Sequence, residues 1–186
     1  WEYKLAKLRQ KQNVLQKFHT FQKKRVEFKL VKSVAGCISG SATETNEIKS
    51  ISKKEVIYIP TTYKSIEVIK KPNTVPNIVH LGGMNTTANR LGLERFLDVC
   101  WKEIKNKNPQ VRLKIIGNLN KSQTSLTEKL KDKNIDCLGF VEDLSKELIP
   151  EDIHIIPWEY NTGTRTRLPV IFNYQQVLVA TKVSVS

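Results

Sequence analysis

The second half of the chain alternates between short apolar segments and longer segments with helical periodicity. The apolar segments, each five or six residues long, lie at 77–81, 111–116, 134–138, 153–157 and 177–181. Helical patterns fill the intervals at 88–107, 122–132 and 142–148, and a further helix follows the strand 153–157 and extends to about Tyr174. Strands separated by single helices form βαβ units, so this order predicts an α/β fold with a parallel sheet and helices on both faces.

Glycines follow the predicted strands at one end. Gly82, Gly117 and Gly139 each come directly after a strand, and a fourth strand leads to Gly163. Ligands bind at the carboxyl ends of strands in open parallel sheets, where glycine lets the backbone come close to them. The pattern favours a nucleotide or phosphate site at this edge.

The loop that follows the strand 153–157 can hold a phosphate. Gly163 permits close backbone approach, the next helix begins with free amides, and Arg165 and Arg167 add fixed positive charge. A basic turn at the start of a helix is the alternative interpretation of this loop alone. The four strand ends together favour the phosphate site.

The first third of the chain has a different pattern. Residues 1–32 predict one long helix, followed by strands at 34–39 and 55–59 and by a helix that begins at the capping box Ser41-Ala-Thr-Glu44. Two prolines and two lysines at 70–76 predict a linker. The expected domains are therefore 1–69, the linker 70–76, and 77–186. The missing initiator Met and the ending without a closing helix suggest a fragment.

The net charge of +13 is concentrated near the amino terminus. Residues 1–32 contain ten of the 31 basic residues and two of the 18 acidic ones. Three interpretations stay open for this helix: a solvated face that packs on a domain, an element at an anionic membrane surface, or a nucleic-acid contact. No zinc-finger, RRM or helix-turn-helix motif supports the last.

Several residues that could carry other chemistry have simpler interpretations. Cys37, Cys100 and Cys137 are far apart and predict buried free thiols, which indicates a reducing compartment. His80 and His154 lie in predicted strands, without metal-binding spacing, and are expected to be buried and hydrogen-bonded. Neither a signal peptide nor a membrane-length apolar run is present, so we expect a cytoplasmic protein, with peripheral association at the inner membrane face as an option.

The ordered set of motifs resembles a known family. A strand, a Gly-Gly loop, a long helix and a strand ending in Gly117 are followed by Gly139-Phe-Val-Glu-Asp143, a strand ending in Pro157, and a Gly-Thr-Arg-x-Arg loop at 163–167. This order is similar to that of the nucleotide-sugar-binding, C-terminal half of retaining group 1 glycosyltransferases of the GT-B type. The segment before the linker is similar to the end of the family's first, acceptor-side Rossmann-like domain.

The resemblance implies transfer of a sugar, with retention, from a nucleoside-diphosphate sugar to a glycan or lipid-linked acceptor. It implies no metal and no cofactor other than the donor itself. Arg165 and Arg167 would be the catalytic cations that neutralise the diphosphate. The donor-binding residues would be Gly82 and Gly83 near the diphosphate, Gly139, Phe140 and Val141 beside the nucleobase, and Gly163 and Thr164 at the diphosphate or sugar.

The sequence departs from the family pattern at two places. Val170 stands where the family has the Glu that binds the ribose hydroxyls, and Gln175-Gln176-Val177 replaces the usual Gly-Lys/Arg-Pro. A non-catalytic module with a nucleotide-sugar fold is therefore the first alternative. A basic nucleic-acid-binding protein is the second.

Overall fold

A computed structural model describes residues 13–68, 75–119, 124–158 and 166–185. Residues up to Thr62 form one compact unit, and residues from Tyr63 onward form most of a second. Most of the predicted linker 70–76 lies outside the described residues. The predicted domain boundaries therefore stay a prediction.

The first unit contains two helices and two short parallel strands. They are α1 (Val14–Ser33), β1 (Cys37–Ser39), α2 (Ala42–Ser52) and β2 (Val56–Tyr58). The side chain of Ser41 accepts a hydrogen bond from the Glu44 amide, so the predicted start of α2 is confirmed. The helix predicted over 1–32 is confirmed from Val14 onward, and its first twelve residues lie outside the described part.

The second unit is built around a five-stranded sheet. Its elements are β3 (Ile78–Leu81), α3 (Thr87–Phe96), a π-helical turn (Leu97–Trp101), α4 (Lys102–Lys107), β4 (Leu113–Ile116), α5 (Thr124–Lys129), β5 (Ile135–Gly139), a 3-10 turn (Leu144–Lys146), β6 (Ile153–Ile156), α6 (Arg167–Asn173), β7 (Val177–Ala180) and α7 (Lys182–Val185). The strand order is β5-β4-β3-β6-β7, and every pair is parallel. The predicted α/β fold with a parallel sheet is confirmed.

An apolar cluster lies on each face of this sheet. On one face, strand residues pack against the long helix, with Leu93, Leu97 and Trp101 buried beside Leu113 and Ile115. The cluster on the other face contains Val79, Ile116, Leu148 and Tyr174. Neighbouring residues along β3 and β4 therefore belong to clusters on opposite faces, as expected of a sheet that is covered on both sides.

The long helix predicted over 88–107 exists, but the inward position predicted for Cys100 is wrong. The wider π-helical turn points Leu97 and Trp101 inward and leaves Cys100 exposed. Cys137 is exposed because β5 is an edge strand, and Cys37 is only half-buried. The three thiols are free, as predicted, but the expectation that they are buried is wrong.

The helix predicted over 142–148 is much shorter in the structure. Only Leu144–Lys146 is helical, and it forms a single 3-10 turn. The Asp143 carboxylate accepts hydrogen bonds from the amide of Ser145, at 3.0 Å, and from its hydroxyl, at 2.6 Å. Asp143 is therefore the N-cap residue of this turn.

One backbone position keeps a conformation that suits glycine. Gln175, which replaces the glycine of the resembled family, has φ 53° and an exposed side chain. The left-handed conformation costs a non-glycine residue about 1–2 kcal/mol. Substitution by glycine removes this cost, but the greater flexibility of glycine in the unfolded chain offsets part of the gain in stability. We expect Gln175→Gly to raise the free energy of unfolding by about 0.5–1 kcal/mol in urea denaturation.

The neighbouring glutamine provides the control. Gln176 is buried and hydrogen-bonded through its side chain, so Gln176→Gly is expected to lower the free energy of unfolding. Equal losses from the two substitutions would contradict the conformational explanation for Gln175.

Candidate functional site at the carboxyl edge of the sheet

Backbone hydrogen bonds join the ends of three neighbouring strands. The Gly82 amide donates to the Ile116 carbonyl at 2.7 Å, and the Gly117 amide donates to the Gly139 carbonyl at 2.6 Å. These three glycines have φ of 145°, 134° and 70°, values that L side chains rarely adopt. Three of the four glycines that the sequence predicted at one edge are therefore brought together there, and Gly163 lies outside the described residues.

The end of β4 lies in direct contact with the glycine loop after β3. A Cβ atom at Gly117 would come within 2.6 Å of the Gly82 carbonyl carbon and 2.8 Å of the Gly83 nitrogen. Real Cβ atoms essentially never approach non-bonded atoms this closely, so only a residue without a side chain fits. The Gly82-Gly83 loop is thus fixed by backbone packing.

The helix that follows this loop begins without a side-chain cap. Thr86 is the N-cap residue of α3, with an extended backbone, and its side chain makes no capping hydrogen bond. The first amides of a helix have no partner within the helix and carry partial positive charge. The start of α3 therefore adds hydrogen-bond donors that suit an anion beside Gly82 and Gly83.

Arg167 is the predicted catalytic cation whose position the structure gives. It opens α6, and its guanidinium carbon lies 4.8 Å from the centre of the Trp158 ring. Its Nη2 donates to the Asn89 side-chain oxygen at 2.5 Å. The guanidinium also lies next to Gly82, where a Cβ atom would collide with it. Arg167 is therefore held rigidly beneath the glycine loop.

Asn89 is a site residue that the sequence interpretation missed. It lies in the first turn of α3, is 4% exposed, and contacts the glycine loop, Trp158 and Arg167 through its side chain. A polar residue at an inward position of an otherwise apolar helix face is the signal that could have identified it.

The remaining predicted site residues differ in exposure and in whether the structure describes them. Phe140 projects from the edge and is 75% exposed, whereas Val141 packs partly against the cluster that contains Tyr174. A Cβ atom at Gly139 would meet nothing within 4 Å, so the space beside this glycine is open. The predicted residues Gly163, Thr164 and Arg165 lie outside the described residues, and their roles stay predictions.

Val170 cannot perform the ribose-binding role of the Glu carboxylate that the family has at this position. Its side chain is half-buried and packs against the apolar cluster of Val79, Ile116 and Tyr174. An alkyl group in this environment cannot accept a hydrogen bond from a ribose hydroxyl.

Two buried histidines lie on adjacent strands, and only one is hydrogen-bonded. His154 Nδ1 is 3.0 Å from Gln176 Oε1, while Gln176 Nε2 donates to the Ile149 carbonyl. The glutamine oxygen is thus the acceptor, and His154 donates from Nδ1. Neither ring nitrogen of His80 has a hydrogen-bond partner in the described part of the chain, and His154 Nε2 also has none there. The prediction of a satisfied histidine is therefore confirmed only for Nδ1 of His154 and is wrong for His80.

Burial keeps both imidazoles neutral. Desolvation lowers the pKa of His154 to about 4, and the hydrogen bond to Gln176 opposes this shift only in part. Desolvation, followed by the positive charge of Arg167, holds the pKa of His80 well below its usual range. Neither histidine therefore adds a charge to the edge near neutral pH.

Within the described ranges, no group of three His, Cys, Asp or Glu side chains is arranged to hold a metal ion. No helix there is long and apolar enough to cross a membrane. The predictions of metal independence and of a cytoplasmic location remain predictions.

A parallel sheet with glycine loops, a helix start without a side-chain cap and an arginine at its carboxyl edge defines a Rossmann-like α/β protein with a candidate anion site. The family model described as "Glycosyl transferases group 1" matches residues 75–186. The chain belongs to this family, and its fold is that of the C-terminal half of a GT-B glycosyltransferase. No curated protein matches it significantly by sequence.

Solved structures share this fold at low sequence identity. TarM, which a second structure records from S. aureus with UDP, is 16% identical with a TM-score of 0.66, and the match covers 86% of this chain and 32% of TarM. The pneumococcal O-GlcNAc transferase GtfA in complex with UDP and GlcNAc is 12% identical with a TM-score of 0.58, and the match covers 84% of this chain and 32% of GtfA. Anabaena HepE in complex with UDP and glucose is 14% identical with a TM-score of 0.62, and the match covers 87% of this chain and 48% of HepE. The chain thus spans a third to a half of these proteins.

Proposed function

We propose that this chain carries the donor-binding half of a retaining glycosyltransferase that uses a nucleoside-diphosphate sugar. The observation that carries the proposal is the joint placement of the Gly82-Gly83 loop, the uncapped start of α3 and the Arg167 guanidinium at one sheet edge. The UDP bound to the related S. aureus and pneumococcal proteins makes UDP the first nucleotide to test.

The proposed reaction breaks the bond between the anomeric carbon and the diphosphate oxygen, which keeps the electron pair. The acceptor hydroxyl oxygen then forms the new bond to that carbon on the same face and gives its proton to the departing diphosphate oxygen. Negative charge grows on the diphosphate as the first bond breaks, and preorganised amides and cations stabilise it. Losing one such donor costs on the order of 3 kcal/mol of transition-state stabilisation.

Each predicted residue has a defined task in this proposal. Gly82, Gly83 and the first amides of α3 bind the diphosphate, and Arg167, together with Arg165, neutralises its charge. The backbone of 139–141 reads the nucleobase, and the exposed Phe140 ring extends from the same edge. The acceptor, a glycan or a lipid-linked sugar, would bind mainly to the other half of the whole protein.

A non-catalytic binding module is the second candidate, and Val170 favours it. This residue packs into the core where the family has a ribose-binding carboxylate. In this second case the chain binds the nucleotide, and the whole protein does not turn the donor over. Release of UDP from a UDP-sugar by the whole protein distinguishes the two candidates.

We expect UDP to raise the free energy of unfolding of the chain by about 2.7 kcal/mol at a hundredfold excess over Kd. Urea denaturation with UDP, GDP, ADP and uridine measures this. Uridine, which lacks the diphosphate, should stabilise far less. Arg167→Ala should weaken the response to the best diphosphate, whereas Lys131→Ala, an exposed cation paired with Glu128, should leave it unchanged. Failure of all three diphosphates to stabilise the folded chain would contradict the donor site.

The basic helix α1 supports a separate proposal for membrane contact. Val14, Leu15, Phe18 and Phe21 are exposed on a helix that also carries six Lys or Arg and one Glu. Exposed apolar side chains among cations favour an anionic lipid surface, and each basic residue contributes about 1 kcal/mol there. Sedimentation with anionic and neutral vesicles tests this. Salt-sensitive binding to duplex DNA would instead favour the nucleic-acid alternative.

A further inference from the structure

One buried amide connects the three parts of the candidate site. Asn89 Nδ2 donates to the Gly83 carbonyl at 2.7 Å. Its Oδ1 accepts hydrogen bonds from Trp158 Nε1 at 2.8 Å and from Arg167 Nη2 at 2.5 Å. The side chain therefore joins the loop after β3, the segment after β6 and the first residue of α6.

Asn89 fixes the peptide that leads from the glycine loop toward α3. The Gly83 carbonyl points inward to Asn89, and the amide of Met84 in the same peptide donates to the Asn118 carbonyl at 2.8 Å. Both polar groups of this peptide are thus held, so its plane is set before a ligand arrives. The orientation of the neighbouring amides depends on that plane.

Asn89 contacts Arg167 through an uncharged amide. The Asn89 oxygen accepts a hydrogen bond from the guanidinium, and the face of the Trp158 ring lies against it. An aspartate in place of Asn89 would form an ion pair with the arginine and cancel most of its field toward an anion. The asparagine side chain itself adds no negative charge at this position.

We propose that Asn89 is a positioning residue for the diphosphate, which aligns the Gly82-Gly83 loop and Arg167 through the hydrogen bonds of an uncharged side chain. This inference rests on the proposed nucleotide-sugar function. Asn89 then contributes to the preference for ligands that carry a diphosphate, and it does not contribute to recognition of the nucleobase.

The test compares UDP with uridine in NMR titrations of the complete chain and two variants. Asn89→Leu removes all three hydrogen bonds. Asn89→Asp keeps the size and the acceptor oxygen but loses the donor and adds negative charge. For both variants we expect UDP affinity to fall at least about tenfold, or 1.4 kcal/mol, while uridine affinity stays within about twofold. The Trp158 indole N–H signal should move in Asn89→Leu and report the lost hydrogen bond.

Asn134→Leu is the matched control. Asn134 is also a buried asparagine, with hydrogen bonds to the carbonyls of Pro109 and Val111, but it precedes β5 at the opposite end of the sheet. This variant should lose stability and keep the UDP affinity of its folded fraction.

The outcomes separate the two proposals. Absence of binding of UDP, GDP and ADP by the unmodified chain rejects the donor site and this inference together. Normal UDP binding by the unmodified chain and by a folded Asn89→Asp variant rejects the positioning role alone. Parallel losses of UDP and uridine affinity would also reject it, because they indicate general disruption of the site. If Asn89→Leu does not fold, the isosteric Asn89→Asp decides.

Discussion

Replacing Gly117 with alanine is expected to lower the free energy of unfolding by roughly 2–6 kcal/mol and to abolish stabilisation by UDP. The new methyl group would lie 2.6 Å from the Gly82 carbonyl carbon and 2.7 Å from its oxygen. Because these atoms belong to the backbone, no side-chain rotation can relieve the overlap. Overpacking and an unfavourable φ of 134° each contribute about 1–3 kcal/mol.

The loss of UDP binding follows from where the overlap occurs. Relief requires that the Gly82-Gly83 loop move away from β4. This loop is held by Asn89, which donates to the Gly83 carbonyl, and by the Met84 amide, which donates to the Asn118 carbonyl. Urea denaturation in the absence and presence of UDP measures both effects in one experiment.

Gly139→Ala is the control at the same sheet edge. Gly139 also has a positive φ, of 70°, but a Cβ atom there meets nothing within 4 Å. Only the conformational cost of about 1–2 kcal/mol is expected. Equal losses of stability from the two substitutions would show that close packing of Gly117 against the glycine loop contributes nothing.

The sequence was sufficient for the fold because the signals that specify it are local. Alternating apolar segments and helices predicted a parallel sheet, and all five strands of the second unit lie within the predicted segments or within one residue of them. The prediction was wrong where tertiary packing overrides a local pattern. The π-helical turn exposes Cys100, and the edge position of β5 exposes Cys137.

The candidate site could be predicted only in part, because its contacts join residues far apart in the chain. Glycine after each strand predicted the shared edge, and Arg167 was identified by its loop. Asn89 contacts Trp158 and Arg167 across 69 and 78 residues, so no local spacing indicates these bonds. The pairing of His154 with Gln176 likewise depends on the placement of β7 next to β6.

The two buried histidines are expected to respond in opposite directions to replacement by leucine. Among the described residues the His80 ring has no hydrogen-bond partner, and it lies beside Ile115 of β4. His80→Leu therefore removes unsatisfied polar atoms and should raise the free energy of unfolding by about 1–3 kcal/mol at pH 7. His154→Leu leaves the Gln176 oxygen without its donor and should lower it by a similar amount.

The unmodified chain should lose stability as the pH falls from about 6.5 to 4. His154 has a pKa of about 4 in the folded chain and about 6.5 when unfolded. The unfolded state therefore binds more protons between these values, so acid favours unfolding. The difference corresponds to about 3 kcal/mol from His154 alone, fully lost only below pH 4. His80, whose pKa is also lowered, adds to the loss in the same direction.

Urea denaturation at intervals from pH 7.5 to 4.5 measures both effects. Each of His80→Leu and His154→Leu should reduce that slope below pH 6.5, although their effects at pH 7 differ in sign. A slope unchanged in both variants would mean that neither imidazole is kept neutral by burial, and a loss of stability in His80→Leu would reveal a partner that the imidazole gains in solution.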